Sequence, residues 1–133
     1  MANYEGMMRT NYFKVDDVDA FRELTEKLSA EANIEVEVSD NNVCFIGCYS
    51  SIDYVDDDGE SNIDEFYSKL SEIIAEDDAA IFTEIGHEKM RYINAVATIV
   101  TRGKVEWVNL NDFSIGKARE MLESPLWVTK MEY

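Results

Sequence analysis

The run Ile34-Glu35-Val36-Glu37-Val38, followed by Asp40-Asn41-Asn42 and then by Val43-Cys44-Phe45-Ile46-Gly47-Cys48-Tyr49, decides the fold class. Its first five residues alternate apolar and acidic with period two, as a strand with one solvated face does. The second run is denser in apolar residues and suits a strand lying deeper in a sheet. Asp-Asn-Asn is turn chemistry. The segment therefore predicts a β-hairpin with one edge strand and one central strand.

Working outward, residues 11–15 predict a strand. Asp16 or Asp17 then supplies the N-cap of a helix whose apolar positions Val18, Phe21, Leu24 and Leu28 recur at helical spacing, ending near Ala32. Beyond the hairpin, residues 53–62 form an acidic loop around Gly59. Asn62-Ile63-Asp64-Glu65 places an N-cap ahead of a second helix with the stripe Ile63, Phe66, Tyr67, Leu70, Ile73 and Ile74. That helix stops at Glu76-Asp77-Asp78. Residues 79–85 and 90–101 predict paired strands joined by a turn at Gly86-His87-Glu88-Lys89, and Arg102-Gly103 turns into a further strand over 104–110. Asn111 or Asp112 caps a third helix through Leu122, with Pro125 just past its end. Residues 126–133 alternate weakly, as an edge strand or a loose tail does.

The order βαββαβββα, with helices apolar on one stripe, predicts a single α+β domain over residues 1–133, its helices packed on an antiparallel sheet. The opening Val18-Asp19-Ala20-Phe21 of the first helix is echoed by Ile63-Asp64-Glu65-Phe66 in the second. The first six elements permit a ferredoxin-like βαββαβ core, while strand order stays open. With 46% hydrophobic residues and one proline in 133, the chain is no disordered acidic tail. The apolar runs are short and broken by charge, and the first eight residues lack the basic and apolar regions of a signal peptide, so a cytoplasmic location is expected. Cys44 and Cys48 lie four strand steps apart, about 13 Å at ~3.3 Å each, too far to bridge. They share a face, as buried thiols of a reducing compartment.

The formal net charge is -16, and it is unevenly placed. Residues 53–88 hold 13 acids and Lys69 alone, whereas residues 89–133 hold 5 acids and 7 bases. Such a field repels nucleic acid and anionic membranes and favours basic partners. Asp56, Asp57, Asp58, Glu60, Glu65, Glu72, Glu76, Asp77 and Asp78 are the candidate partner-binding carboxylates. Glu65, Glu72 and Glu76 are expected on one face of the second helix, at ~10 and ~6 Å of axial rise. Together these groups predict a negative ridge on the scale of a phosphate backbone, which carries one charge per ~3.4 Å per strand. Tyr54, inside the acidic loop, is the candidate aromatic anchor.

No metal or cofactor is expected. Placing Gly59 at the sixth position of an EF-hand loop puts Asp56, Asp58 and Glu65 at the third, fifth and twelfth, but Tyr54 then occupies the first, where a carboxylate is required, and no helix precedes the loop. His87 is the only histidine. With Glu88, Lys89 and Arg91 on one turn, and Ser51 and Asp53 from a neighbouring strand end, it makes a candidate anion or acid–base site if the two segments meet. The alternative is an ordinary charged hairpin tip. Neither HExxH, GxSxG nor a glycine-rich phosphate loop is present.

The segments Ala2-Asn3-Tyr4, Arg9-Thr10-Asn11-Tyr12-Phe13, Ser51-Ile52-Asp53-Tyr54 and Gly86-His87-Glu88-Lys89 with Arg91-Tyr92 resemble a family of small acidic proteins from Gram-positive bacteria, phages and other mobile elements, over residues 2–110. The resemblance transfers setting and no catalytic residue. Small acidic proteins from such elements include anti-CRISPR and antirestriction inhibitors of nucleases, so the resemblance implies a DNA-mimic, anti-defence role by analogy. Three functional expectations follow. The leading one is a non-enzymatic protein docking on a basic, nucleic-acid-binding enzyme. The second is a small-molecule site or enzyme built from residues 50–54 and 87–91. The third is a homo-oligomer formed through Trp127 and the C-terminal segment.

Overall fold

The computed structural model describes residues 5–130. The predicted hairpin forms as β4 (Ile34–Val38) and β5 (Val43–Cys48), joined through Asp40–Asn42 with Asn41 and Asn42 at positive φ. Asparagine tolerates that left-handed backbone better than most side chains. β4 lies at the sheet edge and β5 inside, as expected.

The first strand begins earlier than the sequence reading placed it, at Glu5, and is broken in two: β1 (Glu5–Thr10) and β2 (Phe13–Lys14). Both pair with β5, β1 through Met8–Cys48 and Arg9–Gly47, β2 through Phe13–Cys44 and Lys14–Val43. The register slips by one residue between the two pairings, the signature of a β-bulge. Thr10 repairs the ladder there: its buried Oγ1 accepts the Ile46 N–H at 3.0 Å. The slip also switches the inward parity from Met8 and Thr10 to Phe13 and Val15, which conceals residues 5–10 from a period-two reading.

Helix α1 (Val18–Glu26) is capped by Asp17, whose carboxylate accepts the Ala20 N–H at 3.0 Å. It stops six residues before Ala32, since Leu28–Ser29 (β3) turns out to pair with Asp53–Tyr54 (β6). Helix α2 (Ile63–Ile73) is capped by Asn62 as predicted. β7 (Ala80–Glu88) and β8 (Tyr92–Thr101) extend beyond the expected limits. Their turn is at 89–91, with Lys89 at positive φ, so Gly86 and His87 belong to a strand. β9 (Lys104–Asn109) follows, and α3 (Leu110–Leu122) is capped by Asn109 rather than by Asn111 or Asp112. Residues 126–130 form no strand, and the end of that expected segment, 131–133, lies outside the described residues.

The seven-stranded sheet is antiparallel at every pairing, in the order β4–β5–β1/β2–β7–β8–β9. Its first four positions are the strand order of a ferredoxin-like βαββαβ core, and β8 and β9 widen that core on the β7 side. α1 and α2 cover one sheet face. Phe21, Leu24, Phe66 and Leu70 meet Met8, Phe13, Ile46 and Phe82 in a single core, with Phe66 edge-on to Phe82 at 5.9 Å. Cys44 and Cys48 are both free and buried, on the same inward face.

Candidate protein-docking surface

The two core helices carry the acidic surface. Residues 16–27 and 56–78 together hold fifteen carboxylates and three bases, Arg22, Lys27 and Lys69. Sequence reading missed the share of α1. Its Glu23 and Glu26 line a groove of about 380 Å³ between α1 and α2, together with Glu72, Lys27 and Lys69. The available signal was the βαββαβ order, which sets the two helices side by side.

The loop at 55–62 is a closed turn. Asp56 Oδ1 accepts the N–H groups of Asp58 and Glu60, each at 2.9 Å, and Gly59 takes φ 82°. Asp56 therefore organises the loop and leaves Asp57, Asp58 and Glu60 exposed. Lys27 Nζ reaches Asp57 Oδ1 at 2.6 Å; this hydrogen bond holds the Asp57 carboxyl below its ordinary range and lifts Lys27 above its own. Lys69 donates to Glu65 at 3.2 Å and to the Tyr54 hydroxyl at 3.5 Å, and those two bonds raise its pKa. Asp78 spends its carboxylate on the N–H groups of Lys14 and Ala79, both at 2.8 Å.

Two expectations are corrected here. Glu76 does not extend a ridge of Glu65 and Glu72, because α2 ends at Ile73 with Ile74 in extended backbone, and Glu76 faces the Arg102 guanidinium at 3.7 Å. Tyr54 is no interface anchor. Its ring is fully buried against Phe66 at 5.9 Å, with the Lys69 ammonium over it. Among the described residues, the exposed carboxylates with no basic side chain within ion-pair distance include Asp58, Glu60, Asp64, Glu72 and Asp77.

The second candidate site does not assemble. Ser51 donates to Glu84 at 2.5 Å on the helix-bearing face of the sheet, and Asp53 Oδ1 accepts its neighbour's Tyr54 N–H. His87, three residues after Glu84 on the same strand, points through the opposite face, where its Nε2 lies 3.4 Å from Glu5. Glu88 shares the face of Glu84, while Lys89 and Arg91 stand exposed at the hairpin turn. The sheet itself separates the imidazole from Ser51 and Asp53.

Trp127 is half-buried; its carbonyl accepts from Arg119 Nε at 2.8 Å, folding the C-terminal segment back on α3. Among the described residues no group of three or more His, Cys, Asp or Glu side chains is arranged to hold a metal ion, and no helix is long and apolar enough to cross a membrane. Comparisons with protein-family models, with curated proteins and with solved structures find no match to this chain.

Proposed function

We propose that this chain is a non-enzymatic binding protein that docks its acidic helical layer on the basic, nucleic-acid-binding surface of another protein. The observation that carries the reading is the density of carboxylates on α1, α2, the 55–62 loop and the residues flanking the helices, fifteen against three bases over 16–27 and 56–78. The βαββαβ core packs both helices on one side of the sheet. Unpaired, exposed carboxylates at a helical layer speed encounter with a cationic groove and set its orientation more than they add affinity. The finer reading, an anti-defence inhibitor that occupies a nuclease groove as a DNA mimic, is supported by the same charge and by the resemblance to proteins of mobile elements.

The test is affinity capture from a bacterial lysate at low and at high salt, with a variant carrying Asp58→Lys, Glu60→Lys, Asp64→Lys and Glu72→Lys alongside. All four side chains are exposed, and none accepts a structural hydrogen bond among the contacts described above. Nucleic-acid-binding proteins retained by the native chain at low salt, and lost at high salt and by the variant, support the reading. A partner held equally by both chains, or held regardless of salt, overturns it.

A further inference from the structure

Near its β4 edge, the sheet face turned away from the helices carries a small notch. Arg9 of β1 and Glu35 of β4 both stand opposite Gly47 of β5, so a cation and a carboxylate flank a position without a side chain. The notch holds about 210 Å³ and is lined by both charged residues and by Phe45 and Tyr49. Arg9 is the only base among its described lining residues, and it is held in place. Its Nε donates to the Thr10 carbonyl at 3.3 Å, and its guanidinium lies 5.0 Å from the centre of the Phe45 ring. Phe45 is itself only 8% exposed, its ring folded over Gly47. Among the described residues neither Arg9 nor Glu35 has an ion-pair partner, and the two do not reach each other across the notch.

We infer that this notch binds a small zwitterion, an α-amino acid, with its carboxylate on the Arg9 guanidinium, its ammonium on Glu35 and its side chain against Phe45 and Tyr49. Charge selects the class. A phosphate or other anion would meet Glu35, then Glu37 opposite Phe45, and the field of a chain at net charge -16. A cation would meet Arg9 here, whereas the helical layer offers it carboxylates with no base beside them. A ligand carrying both signs and no net charge is repelled by neither. Geometry agrees with charge. The Arg9 terminal nitrogens, which no described residue accepts from, offer the parallel pair of donors that a carboxylate takes bidentately. The two flanks are two strand spacings of ~4.8 Å apart, so a head group seated over Gly47 lies between them. Size sets the limit. Sites for drug-sized ligands hold ~300–1,000 Å³, and this one is smaller. At ~30 Å³ for each water it takes the place of about seven, which suits an amino acid with a medium side chain. Tyr49 is 79% exposed in the empty notch, and its ring gains burial when an apolar side chain packs on it.

This inference is independent of the docking reading, which uses the helical side of the sheet. The test follows backbone amide resonances of the isotopically labelled full chain while each common L-amino acid is added singly. A concentration of about 10 mM loads a site with a millimolar dissociation constant. Saturable shifts centred on Arg9, Glu35, Gly47 and Tyr49 are expected with at least one amino acid, medium apolar side chains binding best. The N-acetyl and carboxamide forms of that amino acid, each lacking one charge, should bind roughly tenfold or more weakly, and Arg9→Gln and Glu35→Gln should each cost as much. Glu35→Gln leaves the Arg9–Phe45 stack untouched, so it stands as a test even where Arg9→Gln loosens the strand. Lys104→Gln, at the far sheet edge, should bind as the native chain does. No saturable shift at these amides with any amino acid overturns the inference. So does binding that survives both Gln variants, or capped forms that bind as tightly as the parent.

Discussion

The ring of Phe45 occupies the space that a β-carbon on Gly47 would need: that carbon would stand 3.0 Å from two ring atoms. The ring is held from its other sides by Tyr12, at 5.2 Å between centroids, and by the Arg9 guanidinium at 5.0 Å. Gly47→Ala must therefore push an aromatic group out of a packed position. A loss of about 1–3 kcal/mol is expected, read as a lower urea midpoint with an unchanged slope. In a Phe45→Ala background the same substitution should be neutral or stabilising, because only the backbone preference against glycine in a strand remains. Equal losses in both backgrounds would show that the ring is not the obstacle.

Asn11 stands just past Thr10, where the ladder between β1 and β7 ends. Its amide acts as a peptide group: Oδ1 accepts the Ile81 N–H at 2.8 Å and Nδ2 donates to the Ala79 carbonyl at 2.9 Å. Asn11→Ala removes both bonds. Because the site is solvent-exposed and water takes up part of the loss, about 1 kcal/mol of destabilisation is expected by chemical denaturation. Asn11→Asp keeps the acceptor alone and should fall between the two. Full stability in Asn11→Ala would mean that water serves both backbone groups as well.

These two residues also show what could be read beforehand. The β4–β5 hairpin, the cap at Asn62, a cap at Asp16 or Asp17 and the two core helices follow from local pattern and are legible. The bulge is not, since one inserted residue between Thr10 and Phe13 destroys the alternation by which a strand is recognised. Tyr54 and Glu76 were misread for a related reason. Loop position suggested exposure for Tyr54, but β3–β6 pairing turns its ring into the core. Helical spacing suggested a shared face for Glu76, but the helix ends before reaching it. The acids of α1 join those of α2 only through tertiary adjacency, which charge counts by segment do not register.

Arg102 ties three segments together from the β8–β9 turn. Its Nε donates to the Ile74 carbonyl at the end of α2 at 2.8 Å, while its two other nitrogens meet Asp16 and Glu76. A planar fork is needed for all three, so Arg102→Lys retains the charge and loses the geometry. We expect that variant to lose about 1–2 kcal/mol of stability, most of what Arg102→Ala loses, because the bond to the helix-terminal carbonyl is the shared casualty. A lysine variant as stable as the native chain would reduce the role of Arg102 to charge alone.

Cys44 predicts a limb of alkaline destabilisation. Its side chain is fully buried in the inward face of β5, and burial raises the thiol from its ordinary 9.0 to about 11, slightly opposed by the Arg22 charge. Below pH ~9 the thiol is protonated whether the chain is folded or unfolded, and its stabilising contribution is fully present. Between ~9 and about 11 the unfolded chain ionises and the folded one does not, so stability should fall by up to ~1.4 kcal/mol per pH unit. Tyr67, also raised by burial, adds to the same loss above its ordinary value of 10.0. Urea unfolding across this window should therefore show a steeper decline for the native chain than for Cys44→Ala. The variant is less stable at neutral pH because of the cavity, but it lacks the thiol that drives the first part of the limb. Parallel declines in the two proteins would show that the Cys44 thiolate forms as readily in the folded chain as in the unfolded one.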